Sequence, residues 1–222
     1  MDLYAQKGKS IPQKILMVAV ELVLIHISYL VLFGGWGAPV PRGSEVFGRA
    51  LILIFNFIVF FRLGLTWFVF LERRIPFDEA ISVSIAFAAY YVGFSLFAVH
   101  GSGFSLSLAV AGIVLFLVGS FFNTWAEFQR RRWKARPENK GHLYTGGLFR
   151  LTRHPNYFGD CLWVLGYALC ADNGWALLVP LVLAAFFLFY NIPKLEEHLG
   201  SHYGEEFETY RKKTRSLIPF IA

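Results

Sequence analysis

Five residues able to hold a ligand fall within eight consecutive positions: Arg153, His154, Asn156, Tyr157 and Asp160, in the stretch RLTRHPNYFGD at 150–160. Arginine and histidine offer donors to an anion. An asparagine amide donates and accepts at once, a tyrosine adds a phenol and a flat ring, and an aspartate accepts. Upstream, Asn123, Glu127, Arg131 and Lys134 are spaced 4, 4 and 3 apart. On a helix that spacing makes one stripe bearing an amide, an acid and two cations. Between stripe and motif runs RPENKGHLYTGG, which carries Tyr144 and closes on Gly146 and Gly147. Cations beside amides suit phosphate groups. The acids among them suit ribose hydroxyls or an adenine amine, and Tyr144 and Tyr157 offer rings to stack on a flat ligand. Two plainer readings stand beside this one. The stretch is a solvated loop, or Asn156 is a helix N-cap, a position asparagine favours. A bare loop, however, does not need His, Asn and Tyr at the edge of an apolar segment. No GxGxxG or P-loop pattern is present, so a Rossmann or Walker site is not indicated. The cysteines, Cys161 and Cys170, give no disulfide framework and no metal pattern.

The elements that must position these residues are apolar. Of the 222 residues, 56% are apolar and 18% aromatic, while only 16% are charged, against about 25% in a typical soluble domain. This composition predicts an all-α, polytopic integral membrane protein with about six transmembrane helices. Six runs can be drawn, at 15–33, 47–71, 80–99, 104–122, 158–171 and 175–192. Most approach the roughly 20 residues that a bilayer core requires. The fifth is short, so it is expected to begin inside the polar motif. The first run is longer than the apolar core of a signal peptide and is read as a retained span. The formal charge of +6 is mostly local: eight Lys/Arg and two acids lie between Thr124 and Tyr157. A basic block suits nucleic acid, anionic lipid or a phosphate-bearing cofactor, but in a membrane chain it also marks cytoplasmic loops. Lys7, Lys9 and Lys14 precede the first run, and Arg73 and Arg74 follow the second. The loop around His100 has no Lys or Arg. This alternation places both termini in the cytoplasm, with Asp172 and Asn173 outside. Nucleic acid is not an expected partner. The tail from Lys194 has five basic and five acidic residues, and Gly200 and Gly204 are expected to break its helix.

Ionisable groups inside spans cost about 3 kcal/mol each at a helix centre and are therefore functional candidates. Glu21 and His26 lie in the first run, but five residues put them about 140° apart on a helix, so they are not mutual partners. Arg62 lies in the second run, free by length to reach the interface or to pair across helices. Glu79 stands just before the third run, where an acid complements the helix dipole as readily as it serves catalysis. Tyr90 and Tyr91 are mid-span, where packing with a bonded hydroxyl is the plain reading.

The stretches GGLF, RHPNYFGD and HYGEEFETY…LIPFI together resemble a superfamily of small membrane enzymes. It holds the steroid 5-alpha-reductases, the sterol C14 and C24(28) reductases and the isoprenylcysteine carboxyl methyltransferases. The likeness covers about 123–222. Residues 123–160 are most similar to the reductase branch and to bacterial proteins of the DUF1295 type. In that branch, Asn123, Glu127 and Lys134 fall where an Asn, an acid and a basic residue touch the cofactor. Asn156, Gly159 and Asp160 fall where it has Asn, Gly and an acid, and Tyr203 in HYG falls where sterol reductases have KYG. The tail is also similar to that of the carboxyl methyltransferases, whose paired acids match Glu196 and Glu197. Their RHPxY matches 153–157.

Residue chemistry and resemblance together point to a cofactor site made of Asn123, Glu127, Arg131, Lys134, Tyr144, Arg153, His154, Asn156, Tyr157, Asp160, Glu197, His198 and Tyr203, with no metal. The resemblance places a substrate-binding Glu and Tyr in early spans, for which Glu79 and Tyr91 are the candidates. It implies two regions: 1–122, four spans lining a lipid cavity, and 123–222, which holds the cofactor. It implies NADPH delivering hydride to a conjugated double bond of a steroid-like, isoprenoid or other lipid substrate, or else S-adenosylmethionine delivering a methyl group to an isoprenylcysteine-like or lipid substrate. A lipid-binding scaffold is the third reading, since fold does not fix function. The sequence leaves the oligomeric state open.

Overall fold

The computed structural model describes Gly8 and residues 10–36, 39–71 and 73–221. Lys7 and Lys9 of the sequence argument lie outside these. The described residues form helices and no strand. Seven helices matter here: α1 (Ile11–Phe33), α2 (Glu45–Phe70), α3 (Phe77–Val99), α4 (Leu106–Lys134), α5 (Pro155–Cys170), α6 (Gly174–Tyr203) and α7 (Glu205–Lys213). Among the described residues, five of them (α1, α2, α3, α4 and α6) are long and apolar enough to cross a membrane. The expected fifth span is α5. Its 16 residues rise about 24 Å, short of a bilayer core, and it does begin inside the polar motif. The chain is a multi-pass membrane protein.

Local sequence explains the boundaries. Pro12 lies in the first turn of α1, where its missing N–H costs nothing. Asp78 and Glu79 sit in the first turn of α3, where carboxylates complement the helix dipole. The fourth apolar run does not stop at Phe122. Its helix continues to Lys134, because 123–134 holds neither Gly nor Pro. Helix α6 likewise runs past Ile192 into the tail. It widens into a π-type turn at Phe187–Asn191, just before Pro193, whose ring cannot donate to the preceding turn. Gly200 does not break the tail helix as expected; only Gly204 does. Gly204 adopts φ +53°, a left-handed conformation that a glycine takes without strain.

The chain divides into two compact units. The first comprises the described residues of Met1–Gly112 with Tyr167–Ala176. Here α1 packs on α2 and α3, and Met17, Trp67, Ile75 and Ala80 form one core cluster. The second comprises Ile113–Gly166 and Leu177–Ala222. It has two clusters, Ala126 with Phe149, Phe207 and Tyr210, and Phe187 with Ile192 and Leu217. Outward faces of the long helices expose large apolar side chains, such as Phe61 and Phe189. Lipid, unlike water, imposes no cost on these.

Candidate functional site

In the second unit, α4 and α5 approach so closely that glycine is required on both. A Cβ on Gly159 would lie 2.6 Å from the Asn123 nitrogen and 2.6 Å from the Gly119 carbonyl oxygen. Small residues let helix backbones meet in this way. The approach brings the upstream stripe to the motif. Asn123 Nδ2 donates to Asp160 Oδ1 at 2.7 Å and points toward the Asn156 carbonyl at 3.4 Å. Trp163 Nε1 donates to the same Asp160 oxygen at 2.7 Å. One turn outward on α4, Glu127 Oε1 accepts from Asn156 Nδ2 at 3.4 Å, while its other oxygen pairs with Arg130 at 2.5 Å. The result is a ladder of two amides and two acids between α4 and α5. The Asn156–Glu127 rung is long for a hydrogen bond and correspondingly weak. Arg131 lies exposed beyond the ladder. Lys134 Nζ donates to the Tyr203 hydroxyl at 3.1 Å.

Arg153 and His154 face the other way, toward Glu196. Arg153 Nε donates to Glu196 Oε1 at 2.8 Å, and His154 Nε2 lies 3.0 Å from the same oxygen. All three side chains are nearly buried. The same residues bind a strap of backbone at 214–217. Arg153 N donates to the Arg215 carbonyl at 2.8 Å and His154 N to that of Ser216 at 3.1 Å. Thr152 Oγ1 reaches the Ser216 and Leu217 carbonyls at 2.6 and 2.9 Å. The Arg153 guanidinium donates to the carbonyls of Arg211 and Thr214.

The aromatic candidates are stacked within the protein. Tyr157 lies parallel to His154 and Phe187, with centroids at 5.5 and 4.4 Å. Tyr144 packs against Trp133 and Phe149. Burial raises the Tyr144 phenol above its ordinary pKa, with Arg150 opposing. Burial likewise raises that of Tyr210, against Arg153, and its hydroxyl donates to the Phe149 carbonyl at 2.6 Å. His198 stacks on His202. Glu197 is exposed and lines, with Glu196, Glu208 and Arg211, a cleft of about 450 Å³ beside α7.

Residues 80–214, more than half of the chain, match the family described as "Protein of unknown function (DUF1295)". The chain belongs to the DUF1295 family. The DUF1295 stretch takes in the whole α4–α5 ladder, Glu196 and the start of the strap. Three relatives show its range. A 15-cis-zeta-carotene isomerase of Zea mays is 26% identical over 205 residues, 91% of this chain and 50% of that protein. A protein-S-isoprenylcysteine O-methyltransferase of Schizosaccharomyces pombe is 42% identical over 89 residues, 39% of this chain and 37% of that protein. The 3-oxo-5-alpha-steroid 4-dehydrogenase 1 of Rattus norvegicus is 32% identical over 112 residues, 50% of this chain and 41% of that protein. The DUF1295 chain spans half or less of the length of each. Isomerase, methyltransferase and dehydrogenase are different chemistries.

The first unit holds the two early-span candidates. Glu79 is bound in a two-oxygen ion pair by Arg73. It lies twelve residues from Tyr91, about 18 Å of helical rise. Tyr91 sits in a π-type turn, Ala89–Gly93, a feature frequent at functional sites. Its ring is fully buried and its hydroxyl donates to Glu21 Oε2 at 3.4 Å. The other oxygen, Glu21 Oε1, is buried with no hydrogen-bond partner among the described residues. Beside this pair runs a neutral network. Tyr167 donates to Asn56 at 2.9 Å and Asn56 to Ser28 at 2.7 Å. Ser28 and Ser95 lie 2.7 Å apart, and Ser95 donates to the Tyr91 carbonyl at 2.7 Å.

Sequence reasoning did not place Glu21 with Tyr91, since a contact across 70 residues has no local signal. Trp163 and Arg130 were open to it: each stands three residues from its carboxylate, one helical turn. Glu196 was visible only as half of an acid pair.

Proposed function

We propose that this protein is a multi-pass membrane enzyme, with both termini cytoplasmic, that reduces a conjugated double bond of an isoprenoid-derived lipid with NADPH. The observation that carries the reading is the α4–α5 ladder, with Arg131 and Lys134 at its outer end. Two amides and two acids from the facing helices meet the two cations of the α4 stripe. That donor set fits a dinucleotide: amides for a carboxamide or adenine edge, acids for ribose, cations for phosphates. The weak Asn156–Glu127 rung would open to a ligand at little cost. When bound, NADPH would supply a hydride to one carbon of the double bond, and a proton from water would complete the reduction at the other. Asn123 and Asn156 would orient it, and Glu127, Arg131 and Lys134 would fix its polar end.

In the first unit, the acid form of Glu21 would donate from Oε1, which has no partner among the described residues, to an uncharged oxygen of a lipid, while its Oε2 accepts from Tyr91. Glu21 thus takes the part for which the sequence offered Glu79. Lipid at 1–122 and cofactor at 123–222, the regions offered by the sequence, would stand with one exception: Tyr167 joins the network around Tyr91. The names of the relatives support the substrate class: carotenes, steroids and isoprenyl groups are all built from isoprene units. The Lys/Arg alternation supports the orientation.

Purified protein given NADPH carrying deuterium on its transferable position, with an isoprenoid enone, should place deuterium in the reduced lipid. Transfer of a labelled methyl from S-adenosylmethionine, with no deuterium transfer, would replace this reading with the methyltransferase. That second reading is favoured by the 42% identity to the Schizosaccharomyces pombe enzyme.

A further inference from the structure

We infer that the segment 212–221 is an interfacial anchor for anionic phospholipid headgroups, and that its seating on the bilayer holds the strap closed over Arg153 and His154. Three exposed cations, Lys212, Lys213 and Arg215, follow one another within four residues. Their side chains form no ion pair among the described residues, whereas Arg211 faces Glu196 and Glu208. Directly after them Ile218, Phe220 and Ile221 are 41, 78 and 74% exposed. Cations beside unburied apolar groups match a headgroup layer over acyl chains.

The depth agrees. Leu217 is buried against Phe187 and Ile192 of α6. On that same stretch Lys194 lies 4.1 Å over the Tyr190 ring and bonds its hydroxyl at 2.8 Å, with Phe189 82% exposed just before. A tyrosine–lysine pair ending an apolar helix marks the membrane–water boundary. Leu217 therefore tethers the segment at headgroup level. The link to the motif is the backbone between cations and apolar residues. The Arg215 and Ser216 carbonyls are the ones that accept from the Arg153 and His154 amides.

Those two amides report the strap directly, through hydrogen exchange, and need no cofactor or substrate. The inference thus stands apart from the reductase reading. The wild type should be compared in nanodiscs of phosphatidylcholine alone and of phosphatidylcholine with phosphatidylglycerol. Each cation near an anionic surface contributes about a factor of five, so exchange at Arg153 and His154 should slow roughly tenfold or more in the anionic discs. Added salt should abolish the difference. The triple variant Lys212→Gln, Lys213→Gln, Arg215→Gln should lose it, and Phe220→Asp should weaken it. Equal exchange of the wild type in both lipids would overturn the inference. So would slowing that survives high salt or persists in the triple variant.

Discussion

The network around Tyr91 and the cluster around Glu196 are both buried and polar, yet they differ in charge. In the first, hydroxyls and one amide satisfy one another within α1, α2, α3 and Tyr167, and Glu21 supplies the carboxylate among the bonded members. In the second, a carboxylate holds an arginine and a histidine at once. A neutral network inside apolar spans keeps desolvation small, and one Glu21 oxygen has no partner among the described residues. An ionic cluster is stable only where each charge keeps a partner, and here those partners also bind backbone. On the proposed function, the first region would receive a ligand out of the bilayer, and the second would fix the backbone that carries a site for a charged, water-soluble ligand.

Substitutions can break that contrast. The largest effect is expected at Glu196→Gln, which leaves Arg153 without its counter-charge. Removing one partner of such a pair costs about 3 kcal/mol or more, read as a lower thermal midpoint in detergent. Glu21→Gln should do the opposite. It removes a carboxylate with an unpartnered oxygen, so stability should hold or rise, while reduction falls roughly a hundredfold or more, as for loss of a general acid. A stability loss equal to that of Glu196→Gln would erase the distinction between the regions. Asn156→Asp sharpens it within the second unit. Asn156 is the second residue of α5 rather than its N-cap; an aspartate there suits the helix dipole but faces Glu127, so melting should fall only slightly while NADPH affinity drops by about 1–3 kcal/mol. Unchanged affinity would make Asn156 a structural partner of Glu127 only. The smallest effect is expected at Arg130→Ala. Its pair with Glu127 is partly exposed and is worth about 0–1 kcal/mol, with cofactor affinity little altered.

Much of this was legible along the chain. Apolar runs gave the spans because a bilayer requires them, and the 4, 4, 3 spacing gave the α4 stripe because helices repeat every 3.6 residues. The short α5 betrayed itself by length. What stayed hidden depends on approach between distant segments. Gly159 is one residue in a motif until Gly119 is found against it. Arg153 and His154 read as ligand donors until Glu196, over forty residues on, is seen to hold them. Glu21 and Tyr91 are 70 apart, and their pairing follows only from helix packing. Gly200 misled because helix propensity is a weak rule that packing overrides; it sits inside α6, against Phe207.

The central claim is that the α4–α5 ladder with Arg131 and Lys134 holds a dinucleotide. It is tested most directly by calorimetric titration of the purified protein with NADPH and, separately, with S-adenosylmethionine, at low and high salt. The account predicts saturable NADPH binding that weakens with salt and with Lys134→Ala, because charge-assisted contacts to phosphate are being screened or removed, and no comparable binding of S-adenosylmethionine. Tight, salt-insensitive binding of S-adenosylmethionine with none of NADPH would contradict it.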